Sequence, residues 1–236
     1  MTGNTPHVVI LISANTEWQI VKTEFPHCQM LPSPFGEWFK IELIKGQTVV
    51  FFQSGWGKIP AAASTQYVID QWKPELIINI GTCGGFKGCI KTGEIVLVNK
   101  TIVYDILEQM GDQAEATDFF STVLDLSWLK QPYPMAVIVN KMLSADRDII
   151  PADIPKLKEQ YQGIAADWES GAIAYVAHQN RTKCLILRGV TDIVDETGGE
   201  AYDNDLNLFK ERAGMVMKKL IRCLPDWIGI IKTMAT

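Results

Sequence analysis

Residues 165–195 read AADWESGAIAYVAHQNRTKCLILRGVTDIVD, an apolar helix running into an apolar strand. The helix spans 169–179, rich in Ala, Ile and Val, and Glu169 stands at its mouth. The strand is CLILR at 184–188, apolar on both faces as in a central strand, and Asp192 is placed just past its end. Gly171 and Gly189 accompany the two acids. A pair of carboxyls at element ends suits opposite tasks on one small ligand: one accepts hydrogen bonds from hydroxyls, the other delivers a proton. Each acid alone also reads as a capping group, Glu169 on the helix dipole and Asp192 on a following helix.

The same alternation extends outward in both directions. Strands are predicted at 7–13, 38–44, 48–53, 75–80, 94–99, 101–106 and 136–140, with a hairpin turn at Lys45-Gly46-Gln47. Helices are predicted at 16–24 with Thr16 as cap, at 58–72, at 154–161 and at 205–223. Strands alternating with helices predict an α/β fold whose mixed sheet is covered on both faces. No repeat or linker interrupts residues 1–236, so a single domain is expected. The acidic segment 108–121, EQMGDQAEATDFFS, is a surface excursion or a lid. The apolar tail 227–234 is expected to pack on the body or on a partner.

Composition narrows the function classes. Hydrophobic residues make up 47% of the 236 and charged residues 21%, an ordinary globular balance. The net charge of −5 and the lack of a basic run argue against a nucleic-acid partner. The apolar run at 8–12 is too short for a signal segment or a membrane span. Five scattered cysteines without a CxxC pair point to reduced thiols in the cytoplasm, and three histidines give no metal-ligand cluster. No cofactor or metal is expected.

Two glycine loops are predicted where ligands bind in α/β sheets. Ser54-Gly55-Trp56-Gly57-Lys58 ends one strand, and Gly81-Thr82-Cys83-Gly84-Gly85 follows another. Neither has the spacing of a dinucleotide fingerprint or a P-loop.

Taken in order, SGWGK, INIGTCGG, KTGEIVLVN, DWESGAIAYV and RGVTD resemble the nucleoside phosphorylase and nucleosidase superfamily. The 5′-methylthioadenosine/S-adenosylhomocysteine nucleosidases are the most similar branch, over about residues 8–224. The resemblance implies a three-layer α/β/α fold with a central twisted mixed β-sheet, a homodimer, a purine nucleoside as small-molecule substrate and a part in methionine salvage. It also implies roles. Asp192 matches the acid that protonates the purine N7, and Glu169 the carboxylate that holds ribose hydroxyls. Glu17, in SANTEW, is the nearest match to the acid that activates water. Thr82, in the loop with Gly81 and Gly84, lies near water and ribose, and Asp148 and Ile149 fall in the segment that passes over the base. Trp168 stands where the family usually has Met, and either stacks on the purine or points into the core.

The chemistry stands without the family. An N-ribosidic bond breaks through an oxocarbenium-like cation, so the base must leave neutral, the cation needs a nearby carboxylate, and water needs a base. The phosphate-binding arginines of the superfamily's phosphorylases are replaced here by Asn79 and the SANTEW segment, which favours water over a phosphate dianion. Alternatives are a purine nucleoside phosphorylase, a hydrolase for a related nucleoside such as futalosine, or a non-catalytic nucleoside binder. Arg147 and Asp148 either read the purine edge or pair with each other. His178 and Cys83 are expected to be structural, and Arg188 to complete an ion pair.

Overall fold

The computed structural model describes residues 6–44, 46–200 and 206–231. In chain order these form β1 (Val8–Ile12), α1 (Asn15–Glu24), β2 (Leu31–Pro32), β3 (Glu37–Ile44), β4 (Gln47–Gln53), α2 (Lys58–Trp72), β5 (Leu76–Phe86) and β6 (Ile95–Val103). There follow α3 (Gln113–Phe119), β7 (Thr122–Val123), β8 (Ile138–Ser144), α4 (Ile154–Tyr161), β9 (Ala165–Asp167), α5 (Ser170–Gln179), β10 (Lys183–Asp195), β11 (Gly198–Gly199) and α6 (Leu206–Gly229).

The fold is α/β, with helices on both faces of a mixed sheet. β1 lies between β4 and β5, parallel to both. Because successive side chains alternate faces, its fully apolar run feeds two cores. Val8, Ile10 and Ile12 join Trp18 and Val21 of α1 and Met217 and Leu220 of α6. Val9 and Leu11 join Ala61 and Val68 of α2 and Ile173 and Ala177 of α5. Beyond β1 the sheet curls: β5 pairs with β10, β10 with β6, β6 with β8, β8 with β9, and β9 returns to β5. These five strands close into a small barrel.

That closure corrects several sequence-based expectations. The segment 81–85 is no loop but the second half of β5, since Gly84 and Gly85 pair with β9. Asp192 does not follow the strand either. It lies inside β10, which passes an irregularity between Val190 and Asp192 and stays paired to Gly84, Gly85 and Phe86. The strands predicted at 94–99 and 101–106 are one strand, β6, with its register shift between Val98 and Lys100. α1 starts before Thr16, behind Ala14 as cap. α6 runs through Pro225 to Gly229, because burial of Leu224, Trp227 and Ile228 outweighs the hydrogen bond that proline removes. In the tail, Trp227 stacks on Tyr133 with ring centroids 5.6 Å apart. Lys45, Asp205 and 232–234 lie outside the described residues.

Candidate active site

A cavity of about 730 Å³ opens where β1, β4, β5 and β10 deliver their C-terminal ends. Glu17, Thr82, Gly84, Asp148, Ile149, Trp168, Glu169 and Asp192 line it, together with Trp56, Arg147, Asp167 and Phe209. The sequence singles out the first eight as site residues. It also singles out Gly81, which is not on the wall but directly behind it. A Cβ there would fall 2.0 Å from Arg188 Nη1 and 3.0 Å from Glu17 Oε1, so the missing side chain lets these two groups approach.

Glu17 is buried at the first turn of α1, 1% exposed. Its Oε1 accepts from the Thr82 backbone N–H at 2.6 Å and from Thr82 Oγ1 at 2.8 Å, and its Oε2 from the Ala14 N–H at 3.2 Å. The last contact is half of a capping box, the other half being beyond alanine's chemistry. Trp18 points away into the core, where its Nε1 donates to Glu37 at 3.0 Å.

The capping alternatives for the two opening acids are settled by geometry. Asp167, not Glu169, serves the start of α5: the Ser170 backbone N–H reaches both of its oxygens at 3.3 Å, and Ser170 Oγ bonds it as well. Glu169 is left to accept from the Gly57 N–H at 3.1 Å, across the cavity from its own helix. Gly57 adopts φ +89, a conformation glycine tolerates, and this turns its N–H toward the carboxylate. Asp192, within a strand, caps no helix.

Arg188 ties these elements together. Fully buried, its Nε lies 2.7 Å from Asp167 Oδ2 and 3.0 Å from Ser170 Oγ. Its Nη2 donates to Asn79 Oδ1 at 2.8 Å and approaches Glu169 Oε2 at 3.5 Å. Burial pulls the guanidinium toward neutrality, but Asp167, Glu169 and Glu17 outweigh it and push its pKa up. Ser144 Oγ completes the set, donating to Asp167 at 2.6 Å. Asp167, Trp56 and Phe209 were not picked from sequence as site residues. Arg188 was seen as an ion-pair completer, and the signal for more was present: a single charge in the apolar strand CLILRGV must be paired when buried.

Burial also raises Glu169, to about 8; Arg188 opposes this, while Asp167 and Glu17 add to it. Burial prevails over the ion pair because Arg188 already holds Asp167 at closer range. A carboxyl raised in the folded state keeps its proton where the unfolded chain has lost its own, so stability falls as pH rises through that window. Thermal melts across pH 4.5 to 8 are therefore expected to show a decline in the parent protein that Glu169→Gln lacks; parallel curves would exclude a raised Glu169.

The remaining candidates fall outside this network. Arg147 pairs with Asp153 at 2.8 Å and lies over the Tyr104 ring, not with Asp148. Ile149 crosses β5 closely, its Cδ1 2.6 Å from where a Gly84 Cβ would stand. Cys83 is buried and its thiol pKa is driven up, chiefly by burial, which makes it a packing group. His178 is exposed at the end of α5. The segment 108–121 supplies no residue to the cavity wall. It holds α3, capped by Asp112, with Phe119 and Phe120 against Tyr175 of α5.

The family model of the Phosphorylase superfamily matches residues 23–223. The chain belongs to that superfamily. The matched span includes Thr82, Glu169 and Asp192 and begins after Glu17. Among curated relatives, the 5′-methylthioadenosine/S-adenosylhomocysteine nucleosidase of Buchnera aphidicola (strain Tuc7) is 26% identical, over 77% of this chain and 83% of the relative. Among solved structures, the nucleosidase of the same name from Helicobacter pylori, with butyl-thio-DADMe-Immucillin-A, aligns with TM-score 0.75 at 16% identity, covering 94% of this chain and 100% of its own. The futalosine hydrolase of Helicobacter pylori aligns with TM-score 0.78 at 15% identity, covering 94% and 98%. The fold of this superfamily member is thus shared with both kinds of hydrolase.

Proposed function

We propose that this protein is a purine nucleoside N-ribohydrolase that cleaves 5′-methylthioadenosine/S-adenosylhomocysteine-type nucleosides with water as nucleophile. The observation that carries the reading is the convergence of Glu17, Glu169 and Asp192 on one cavity without an open cation for phosphate. Among the described residues Arg147 is the basic side chain on the wall, and it is paired to Asp153. Arg188, behind the wall, is held by Asp167, Glu169 and Asn79. A phosphate dianion entering such a site would meet carboxylates.

In this mechanism Asp192 gives its proton to N7, so that the base leaves neutral. Glu169 holds the ribose hydroxyls and stabilises the ribosyl cation, and Glu17, steadied by Thr82, takes the proton of the attacking water. Gly84 and Ile149 shape the base side of the cavity, with Asp148 next to them and Trp168 beside the sugar. The names of the curated relatives favour a substrate of the methionine salvage type.

A homodimer in the cytoplasm fits the same reading. Ile59, Leu107, Met110, Phe119 and Val123 are exposed large apolar residues, as a partner surface would require, and all five cysteines are free thiols. Among the described residues no helix is long and apolar enough to cross a membrane.

The test is to incubate the protein with purine nucleosides, with and without phosphate, and to measure free base. Release independent of phosphate is expected. Release that requires phosphate would make it a phosphorylase, and binding without release a sensor. Glu17→Gln is expected to slow release about 10²–10⁴-fold with nucleoside affinity largely kept, by the usual contribution of a positioned base; undiminished turnover would remove Glu17 from that role.

A further inference from the structure

Opposite the acids the cavity has an aromatic wall. Trp56, after β4, and Trp168, after β9, stack with ring centroids 4.7 Å apart and planes 35° from parallel. Their neighbours are tied as well, since Gly57 N–H binds Glu169. The Lys58 N–H binds Asp146 at 2.7 Å and its Nζ pairs with Asp105, which anchors the segment carrying Trp56. Trp56 is nevertheless 63% exposed. A large ring held in place by its neighbours, yet left largely in water at a cavity, is a surface prepared for a ligand.

Its position indicates which part of the ligand. On the nucleosidase reading, on which this inference rests, Asp192 and Ile149 mark the base and Glu169 marks the ribose hydroxyls. The tryptophans are sequence neighbours of Glu169 and of the Gly57 that binds it, on the sugar side, where a substituent on the 5′ carbon extends. The cavity volume of about 730 Å³ lies in the upper part of the range for whole bound ligands, which leaves room beyond a nucleoside. A free 5′-hydroxyl against two indole faces would gain little, whereas a flat ring would stack.

We propose that Trp56 and Trp168 form a stacking wall that selects nucleosides bearing a planar aromatic group at the 5′ position over those with a free 5′-hydroxyl. The experiment compares kcat/KM for 5′-phenylthioadenosine, 5′-methylthioadenosine and adenosine in the parent protein and in Trp56→Ala, Trp56→Phe and Trp168→Ala. The parent is expected to prefer the phenylthio compound. Trp56→Ala should lower its preference over adenosine by about tenfold, the scale of one aromatic pair, and Trp56→Phe should restore most of it. A preference unaltered by Trp56→Ala, or a parent that favours adenosine, overturns the proposal. If no compound yields free base, the nucleosidase reading fails separately. The wall is then judged by the same ratios of dissociation constants from calorimetry, and an unaltered ratio again overturns it.

Discussion

Asp192→Asn is expected to yield a folded protein whose base release is about 10²–10⁴-fold slower than the parent's, the usual contribution of a positioned general acid. The amide keeps the shape of the carboxyl but has no acidic proton to give to a departing purine. Asp192 is 7% exposed and sits in a strand paired on both sides of its irregularity, so the substitution leaves the ladder in place. Melting temperature should stay close to the parent's and nucleoside binding should persist. Both belong in the experiment, because they separate lost chemistry from lost structure. Parent-like turnover in this variant would remove Asp192 from the acid role.

Arg188→Met should act on the opposite quantity. Three acids, Asp167, Glu169 and Glu17, surround this fully buried cation. Deleting one partner of a buried pair leaves uncompensated charge, which costs about 3–5 kcal/mol. For a chain of this size that lowers the melting temperature by roughly 6–20 °C. The loss should shrink as pH falls, because the stranded carboxyls become neutral with proton uptake in the folded state. Adding Asp167→Asn to Arg188→Met should restore part of the stability. A pH-independent loss, or none, would show that the guanidinium is not what holds the three acids together.

Much of the fold was legible because its elements have one dominant pattern. Lys58–Trp72 and Ile154–Tyr161 form helices with the predicted bounds, and the hairpin of β3 and β4 lies where its turn residues indicated. What misled was glycine. Gly81, Gly84 and Gly85 read locally as a turn, yet their lack of side chains serves the close approach of Arg188, Ile149 and Ile90 within a strand. That purpose depends on residues far away in sequence, which local spacing does not encode. The same holds for the acids. Glu17, Glu169 and Asp192 were each visible, but the capping task could not be assigned until Asp167 was seen to take it. Trp56 escaped notice as a site residue because its partner, Trp168, is brought to it by the tertiary fold.

The barrel formed by β5, β10, β6, β8 and β9 also divides the molecule by tolerance to change. Thr82, Asp167 and Asp192 belong to strands of that closed ring, where a backbone shift in one strand is resisted by neighbours on both sides. Trp56, Arg147 and Asp148 lie on connections outside it. Such an arrangement lets selectivity drift while the chemical centre stands still: a new substituent could be accommodated by exchanging side chains on the connections, without re-registering the strands that carry the acids.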